Sequence, residues 1–296
     1  MRTISSINQL IIYPLTRQSV KRGFLFILLC LVLNNINGQD GKSEHKKVYS
    51  LNYKFEIPLT AGLFAVNYYG LVQKNQKPTL DTSQITLLVK NDIWAFDRSA
   101  VFLSSSQRIQ AQNISDWGLY ISTFLPVLLF LDPKIRESWF DIALLYLETQ
   151  SINFNLHTWA GPVFTSRIRP FVYYKEVPFN EKLNSGTTDS FFSGHVSWTA
   201  GASFFTAKVL SDYHQEWGRK RWLLFAAALI PPTFVGYFRY QGLKHFPSDI
   251  VIGTAVGAAV GVLTPHLHKI CRKERKSISI APFSGEYSGL VFRMTF

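Results

Sequence analysis

The sequence predicts an all-α membrane protein: a multi-span bundle of about six helices with a short strand-like C-terminal tail. Three observations lead there. Of 296 residues, 47% are hydrophobic and only 17% are charged, whereas a soluble domain carries about a quarter charged residues. The apolar residues fall into separate blocks. The net charge of +12 gathers just outside those blocks, which suits membrane topology and anionic headgroups. No nucleic-acid motif accompanies the charge, so nucleic acid is not an expected partner. Cys30 and Cys271 are the only cysteines, too few for a disulfide framework or a Cys-rich metal site.

The elements follow in order. Arg17, Lys21 and Arg22 precede the apolar run Gly23–Leu33, so residues 1–38 read as a signal-type or anchor segment, with cleavage expected near Gly38 if it is a signal. Ile57–Val72 is a short or tilted span. Residues 73–114 form a polar loop, where Asp97 and Arg98 are expected to make a surface ion pair. Ser115-Asp116 reads as the N-cap of a helix over Trp117–Leu131, which Asp132-Pro133 ends. A further helix runs from Ser138 to about His157; Glu148 and Gln150 within it must face protein or water. After a polar loop over 158–192 come spans at Ser193–Leu210, Trp222–Tyr237 and Ser248–His266. In the last, Gly253, Gly257 and Gly261 recur every four residues and place a smooth face toward another helix. Residues 277–296 alternate in the manner of strands and form a tail of unassigned role.

Three polar clusters sit at helix ends. They are Ser166-Arg167-Ile168-Arg169-Pro170, Ser193-Gly194-His195, and Arg239 with His245 and Asp249 at the spacing Arg-x5-His-x3-Asp. Counting crossings puts all three on one side of the membrane. The residue types suit one task. Arg169 and Arg239 are permanent cations with forked donors for phosphate oxygens. Gly194 lets backbone approach an anion, and Ser193 adds a hydroxyl. One histidine can act as nucleophile and the other as acid, with the Asp249 carboxylate turned toward the His245 ring to fix its tautomer. His157, His214, His266 and His268 lie outside the clusters and read as interfacial residues; His266 with His268 is a weak metal candidate at best, and neither a metal nor a cofactor is expected.

The three clusters resemble the motifs of the type 2 phosphatidic acid phosphatase (PAP2) family, which shares its site with vanadium haloperoxidases: Lys-x6-Arg-Pro, Pro-Ser-Gly-His and Ser-Arg-x5-His-x3-Asp. The resemblance covers residues 57–268. It implies a membrane phosphatase domain hydrolysing a lipid phosphate or pyrophosphate, with His245 as the nucleophile that becomes a phosphohistidine, Asp249 activating it, and His195 as the acid. Arg169, Arg239, Ser193 and Gly194 would hold the phosphoryl group. The chain departs from the pattern at Phe192, Phe238 and above all Pro162, where the family has its first-motif lysine. Arg167 and Lys175 are the candidates to substitute for that lysine. A protein that binds lipid phosphates without turnover is the alternative reading.

Lys134 and Arg136, Arg219 to Arg221, and Lys269 to Lys276 all fall on the side opposite the motifs. The positive-inside rule makes that side cytoplasmic, with the site facing the periplasm of a bacterial inner membrane. A cleaved leader followed by a fully crossing Ile57–Val72 would give the opposite count. The charge asymmetry, summed over three loops, outweighs it.

Overall fold

The computed structural model describes residues 47–269 and two strands, β1 (Ile278–Ser284) and β2 (Ser288–Met294). The leader-like segment 1–38 and the basic residues Arg272 to Lys276 lie outside the described residues.

Seven principal helices follow one another: α1 (Tyr53–Asn75), α2 (Arg108–Thr123), α3 (Trp139–Thr158), α4 (Gly194–Tyr213), α5 (Trp222–Ala228), α6 (Ile230–Gln241) and α7 (Pro247–His268). Shorter helical turns fill the connections. Among the described residues, three stretches are long and apolar enough to cross a membrane: Arg108–Leu131, Gln215–Gln241 and Pro247–His268. Their outward residues include Trp222, Leu223, Leu131 and Leu267, all more than two-thirds exposed. An apolar exterior of this kind is what lipid solvates, and the chain is an integral membrane protein.

Helices α3 and α4 are long enough to span but too polar to score as apolar. Their polar residues face each other. The Ser197 hydroxyl donates to Asn153 Oδ1 at 2.6 Å, and the Asn153 amide donates to the Ser197 carbonyl at 2.9 Å. Away from water, such pairs satisfy groups that lipid cannot. Glu148, Thr149, Gln150, Ser151 and Asn153 are all buried, as the position of Glu148 and Gln150 predicts.

Helix α4 is the central strut, and α7 packs along it. The seam is the glycine stripe. A Cβ at Gly253, Gly257 or Gly261 would lie 2.7, 2.1 or 2.7 Å from the carbonyl oxygens of Ser193, Ser197 and Gly201. The stripe therefore seats α7 directly on the α4 backbone, as the repeat predicts.

Several expected boundaries move. Helix α1 extends well beyond Ile57–Val72. Ser115-Asp116 is not an N-cap, because α2 starts at Arg108 and both residues lie in its middle. The polar residues 108–114 before them are the first two turns of the same helix. The expected helix over Trp117–Leu131 passes into a 3-10 segment at Leu125–Leu131, around Pro126. Leu229 separates α5 from α6, where Pro231 and Pro232 cannot donate to the helical ladder. The tail is an antiparallel hairpin pairing Ile278 with Met294 and Ser284 with Ser288.

Candidate active site

The three clusters converge where the N-termini of α4 and α7 meet the C-terminus of α6. The chain leaves α6 through Leu243, a buried residue with φ of 55°. This left-handed turn is unusual for a residue with a Cβ. It folds 242–246 back against the site loop, where the Phe171 N–H donates to the Leu243 carbonyl at 3.1 Å. Ser193 is tied to the other side of the turn, its N–H donating to the Asp249 carbonyl at 3.1 Å.

His245 is 2% exposed. Its Nδ1 lies 2.6 Å from the Ser190 carbonyl. A carbonyl only accepts, so Nδ1 carries the proton and Nε2 keeps its lone pair. The pKa of His245 is held well below the ordinary imidazole range, first by burial and then by the charges of Arg169 and Arg239, against the hydrogen bond to Ser190. The ring is therefore neutral at pH 7.

The expected Asp249–His245 contact is corrected here. Asp249 Oδ2 lies 3.9 Å from Nδ1, beyond hydrogen-bond reach. That oxygen instead accepts from the Ser190 hydroxyl at 2.6 Å and from the Phe246 N–H at 2.9 Å. Asp249 Oδ1 accepts from Arg167. The carboxylate thus reaches His245 through Ser190, whose carbonyl accepts from the ring Nδ1–H and whose hydroxyl donates to Asp249. A carboxylate in the first turn of α7 is drawn to the free N–H groups there, and the imidazole takes the nearest carbonyl.

Arg167 also departs from expectation. Its guanidinium donates to Asp97 Oδ2 at 2.6 Å and Ser248 Oγ at 2.8 Å, as well as to Asp249. Two carboxylates occupy it, so it braces the site instead of supplying a free cation. Asp97, expected in a surface pair with Arg98, is fully buried and also accepts from the Ser248 N–H at 2.8 Å. Arg98 donates to the carbonyls of Ile93 and Asn91 instead. Lys175 is exposed.

His195, at the second position of α4, has its Nε2 2.9 Å from Asp116 Oδ1. Arg239 NH1 lies 3.3 Å from the same oxygen. Asp116, mid-helix on α2, thus joins the second and third motifs; no motif contains it, and periodicity on a correctly placed α2 would have been its only signal. Gly194 has a role beyond backbone access: a Cβ there would sit 2.7 Å from His157 Nε2, so the His157 ring packs directly beneath the cradle.

Cations crowd the site. Arg169 Nε donates to the Gly186 carbonyl at 2.8 Å, and its pKa is lowered by burial against Asp189 and Asp249. Lys244, half-buried beside His245, has its pKa pushed down to about 8, first by burial and then by Arg169, Arg239 and Arg108. Two donors here, Ser193 Oγ and Arg239 Nε, are buried with no protein partner. Buried donors are rarely left unpaired, and here they adjoin three cations that repel one another.

Where the first-motif lysine is replaced by Pro162, an ammonium from elsewhere reaches the backbone. Lys77 Nζ donates to the Pro162 carbonyl at 2.7 Å, the Thr165 carbonyl at 2.8 Å and Asp189 at 3.2 Å. Three acceptors match its three protons, so Lys77 anchors the loop at its start.

No curated protein sequence matches the chain. A crystal structure described as the first transmembrane PAP2 type phosphatidylglycerolphosphate phosphatase from Bacillus subtilis is similar over 75% of this chain and 100% of that one, with a TM-score of 0.42 and 18% sequence identity. The family model of the PAP2 superfamily matches residues 142–273, a span that holds Arg169, Ser193-Gly194-His195, Arg239, His245 and Asp249. Residues 142–273 thus match the PAP2 superfamily.

Proposed function

We propose that this protein is an integral membrane phosphatase that removes a phosphoryl group from a lipid phosphate or pyrophosphate. The observation that carries the reading is the pair of buried, unpartnered donors, Ser193 Oγ and Arg239 Nε, beside a neutral His245. A phosphoryl group would satisfy both donors and relieve the repulsion among Arg169, Arg239 and Lys244.

In the proposed reaction, His245 Nε2 attacks phosphorus and the bond to the lipid oxygen breaks. The leaving oxygen takes a proton from His195, whose charged form Asp116 stabilises. A water molecule then attacks the phosphohistidine, giving its proton to the neutral His195. Phosphate leaves and both rings return to their starting states. Asp249 acts through Ser190, keeping the His245 ring turned with Nε2 outward. Lys244 takes the electrostatic place of the lysine missing at Pro162. Arg167 is spent on Asp97 and Asp249, and Lys175 points to no such role.

The lipid part of the proposal rests on an apolar groove of about 600 Å³ between α6 and α7, lined by Thr233, Tyr237, Ile250, Val251 and Ala255. It reaches Tyr240 and Pro247, chain neighbours of Arg239 and His245. An acyl chain in this groove would bring its headgroup to the cations. We also place the site on the periplasmic side. The basic connections holding Lys134 and Lys269 pair with Glu216 and Asp212 at the opposite end of the bundle, where the positive-inside rule puts the cytoplasm.

Purified protein in detergent micelles, offered phosphatidate, phosphatidylglycerol phosphate, undecaprenyl pyrophosphate and lipid A, is expected to release phosphate from at least one. His245→Ala should reduce release by at least about 1,000-fold. Binding without release from any member of the panel would favour the non-catalytic alternative, and full activity in the variant would remove His245 from its role.

A further inference from the structure

At the far end of α7 from His245, three ligand-type side chains meet. They are Glu56 in the first turn of α1, Glu148 in the middle of α3 and His268 at the end of α7. Asp249 and His268 are 19 residues apart on one helix, about 28 Å, so this cluster is separate from the phosphoryl-transfer site. We propose that Glu56, Glu148 and His268 form a binding site for one divalent metal ion, of the class bound by imidazole and carboxylate together, such as zinc.

The protonation of His268 comes first. Its Nδ1 lies 2.9 Å from the Thr264 carbonyl, so Nδ1 is a donor and Nε2 is the ring nitrogen left to bind a metal. Nε2 faces Glu56 Oε1 at 3.3 Å and Glu148 Oε2 at 3.5 Å. Three electron-pair donors therefore converge, all within 4.8 Å of one another. An imidazole whose other nitrogen is anchored to a backbone carbonyl is the usual form of a metal-ligating histidine.

The spacing fits a metal. A tetrahedral ion with bonds of about 2.1 Å holds its ligand atoms about 3.4 Å apart; the two separations from Nε2 bracket that value, and the two carboxylate oxygens lie within 4.8 Å of each other. The charge fits as well, since two carboxylates balance one divalent cation. A second, independent observation points the same way: Glu148 is 4% exposed, and its Oε2 has no hydrogen-bond partner although it is aimed into the cluster. A buried carboxylate oxygen left without a donor is costly. The nearby ammonium of Lys269 is committed to Asp212 at 2.8 Å. An ion here would join α1, α3 and α7, three elements far apart in the chain.

The test is metal binding by the full-length protein in detergent. The protein is stripped with chelator, incubated with Zn²⁺ alone, and freed of loose metal by gel filtration. Wild type is expected to retain about one zinc per chain, and Glu148→Gln and His268→Gln to retain none. Zinc should raise the thermal unfolding temperature of the stripped wild type and leave both variants unmoved. Should a variant fail to fold, the zinc-edge absorption spectrum of the wild type decides: a shell of oxygen with a single imidazole supports the site. Zinc held equally by both variants, a shell with several imidazoles, or a stripped wild type that neither binds nor responds to zinc would overturn it. The last result would mark His268 as an imidazolium simply paired with Glu56. None of these readouts depends on phosphatase activity.

Discussion

The glycine seam between α4 and α7 yields a graded prediction. Alanine at Gly257 would place its Cβ 2.1 Å from the Ser197 carbonyl oxygen, where real Cβ contacts are essentially never under 3.0 Å. The helices must separate there by at least 0.9 Å, the difference of those two values. At Gly253 and Gly261 the starting distance is 2.7 Å, which needs 0.3 Å to reach the same limit. Overpacking a tight core costs about 1–3 kcal/mol, so Gly257→Ala should lie at or above the top of that range and the other two near the bottom. The three also differ in position. Gly253 meets Ser193, the first residue of the proposed phosphate cradle, whereas Gly261 meets Gly201, two turns farther along α4. Gly253→Ala should therefore lose turnover out of proportion to its stability, and Gly261→Ala stability with little turnover. Thermal unfolding in detergent gives one axis, and phosphate release at saturating substrate gives the other. If Gly257→Ala unfolds at the wild-type temperature, or if Gly253→Ala and Gly261→Ala lose turnover equally, the seam does not set the site.

Other predictions follow from single contacts. Replacing Lys244 by Gln should weaken inhibition by orthovanadate about 10- to 100-fold, the range for a charge-assisted hydrogen bond. In wild type the same affinity should fall as pH rises through about 8, and the variant should lack that fall. Stability runs the other way: the unfolded chain holds the Lys244 proton more tightly, so stability rises between pH 8 and the ordinary lysine range, and Lys244→Gln flattens the rise in a melting series. For His245 the folded pKa is also lowered, so stability should decline as pH falls below about 6.5, where the unfolded ring gains a proton the folded ring refuses; a melting series comparing wild type with His245→Gln isolates it. Asp116→Asn should lower kcat about 10-fold; an unchanged kcat would remove Asp116 from the proton path.

The helical bundle, the tail strands and the convergence of Arg169, His195, Arg239 and His245 are legible in the residues, because hydropathy blocks and motif spacing are local signals. What supports them is less so. Asp116 was hidden by a misplaced helix start, since polar residues at a membrane edge look like a loop. Asp97 sits in an irregular segment that has no periodicity to read, so its burial depends wholly on tertiary packing. For Asp249, an i, i+4 spacing makes contact with His245 possible without making it preferred. The free N–H of Phe246 and the Ser190 hydroxyl lie closer. Lys244 adjoins His245 in sequence, yet its closeness to Arg169 arises only from the left-handed turn at Leu243.

These particulars give α7 a single organising part. Its first turn carries Asp249, which holds Ser190 and through it the His245 ring. Its middle is the glycine face that sets the height of α4, and the N-terminus of α4 carries Ser193, Gly194 and His195. The nucleophile side and the acid side of the proposed reaction are thus registered to each other by backbone contact along one helix pair, not by a bond between the two histidines. A fixed seam of this kind suits a reaction in which attack and proton donation occur on opposite sides of one phosphorus atom. Small errors of alignment there cost large factors in rate. It also explains why polar side chains are tolerated within α3 and α4: Asn153 locks the Ser197 carbonyl, the same oxygen that Gly257 approaches most closely, so the polar pair in the membrane holds the atom on which α7 is seated.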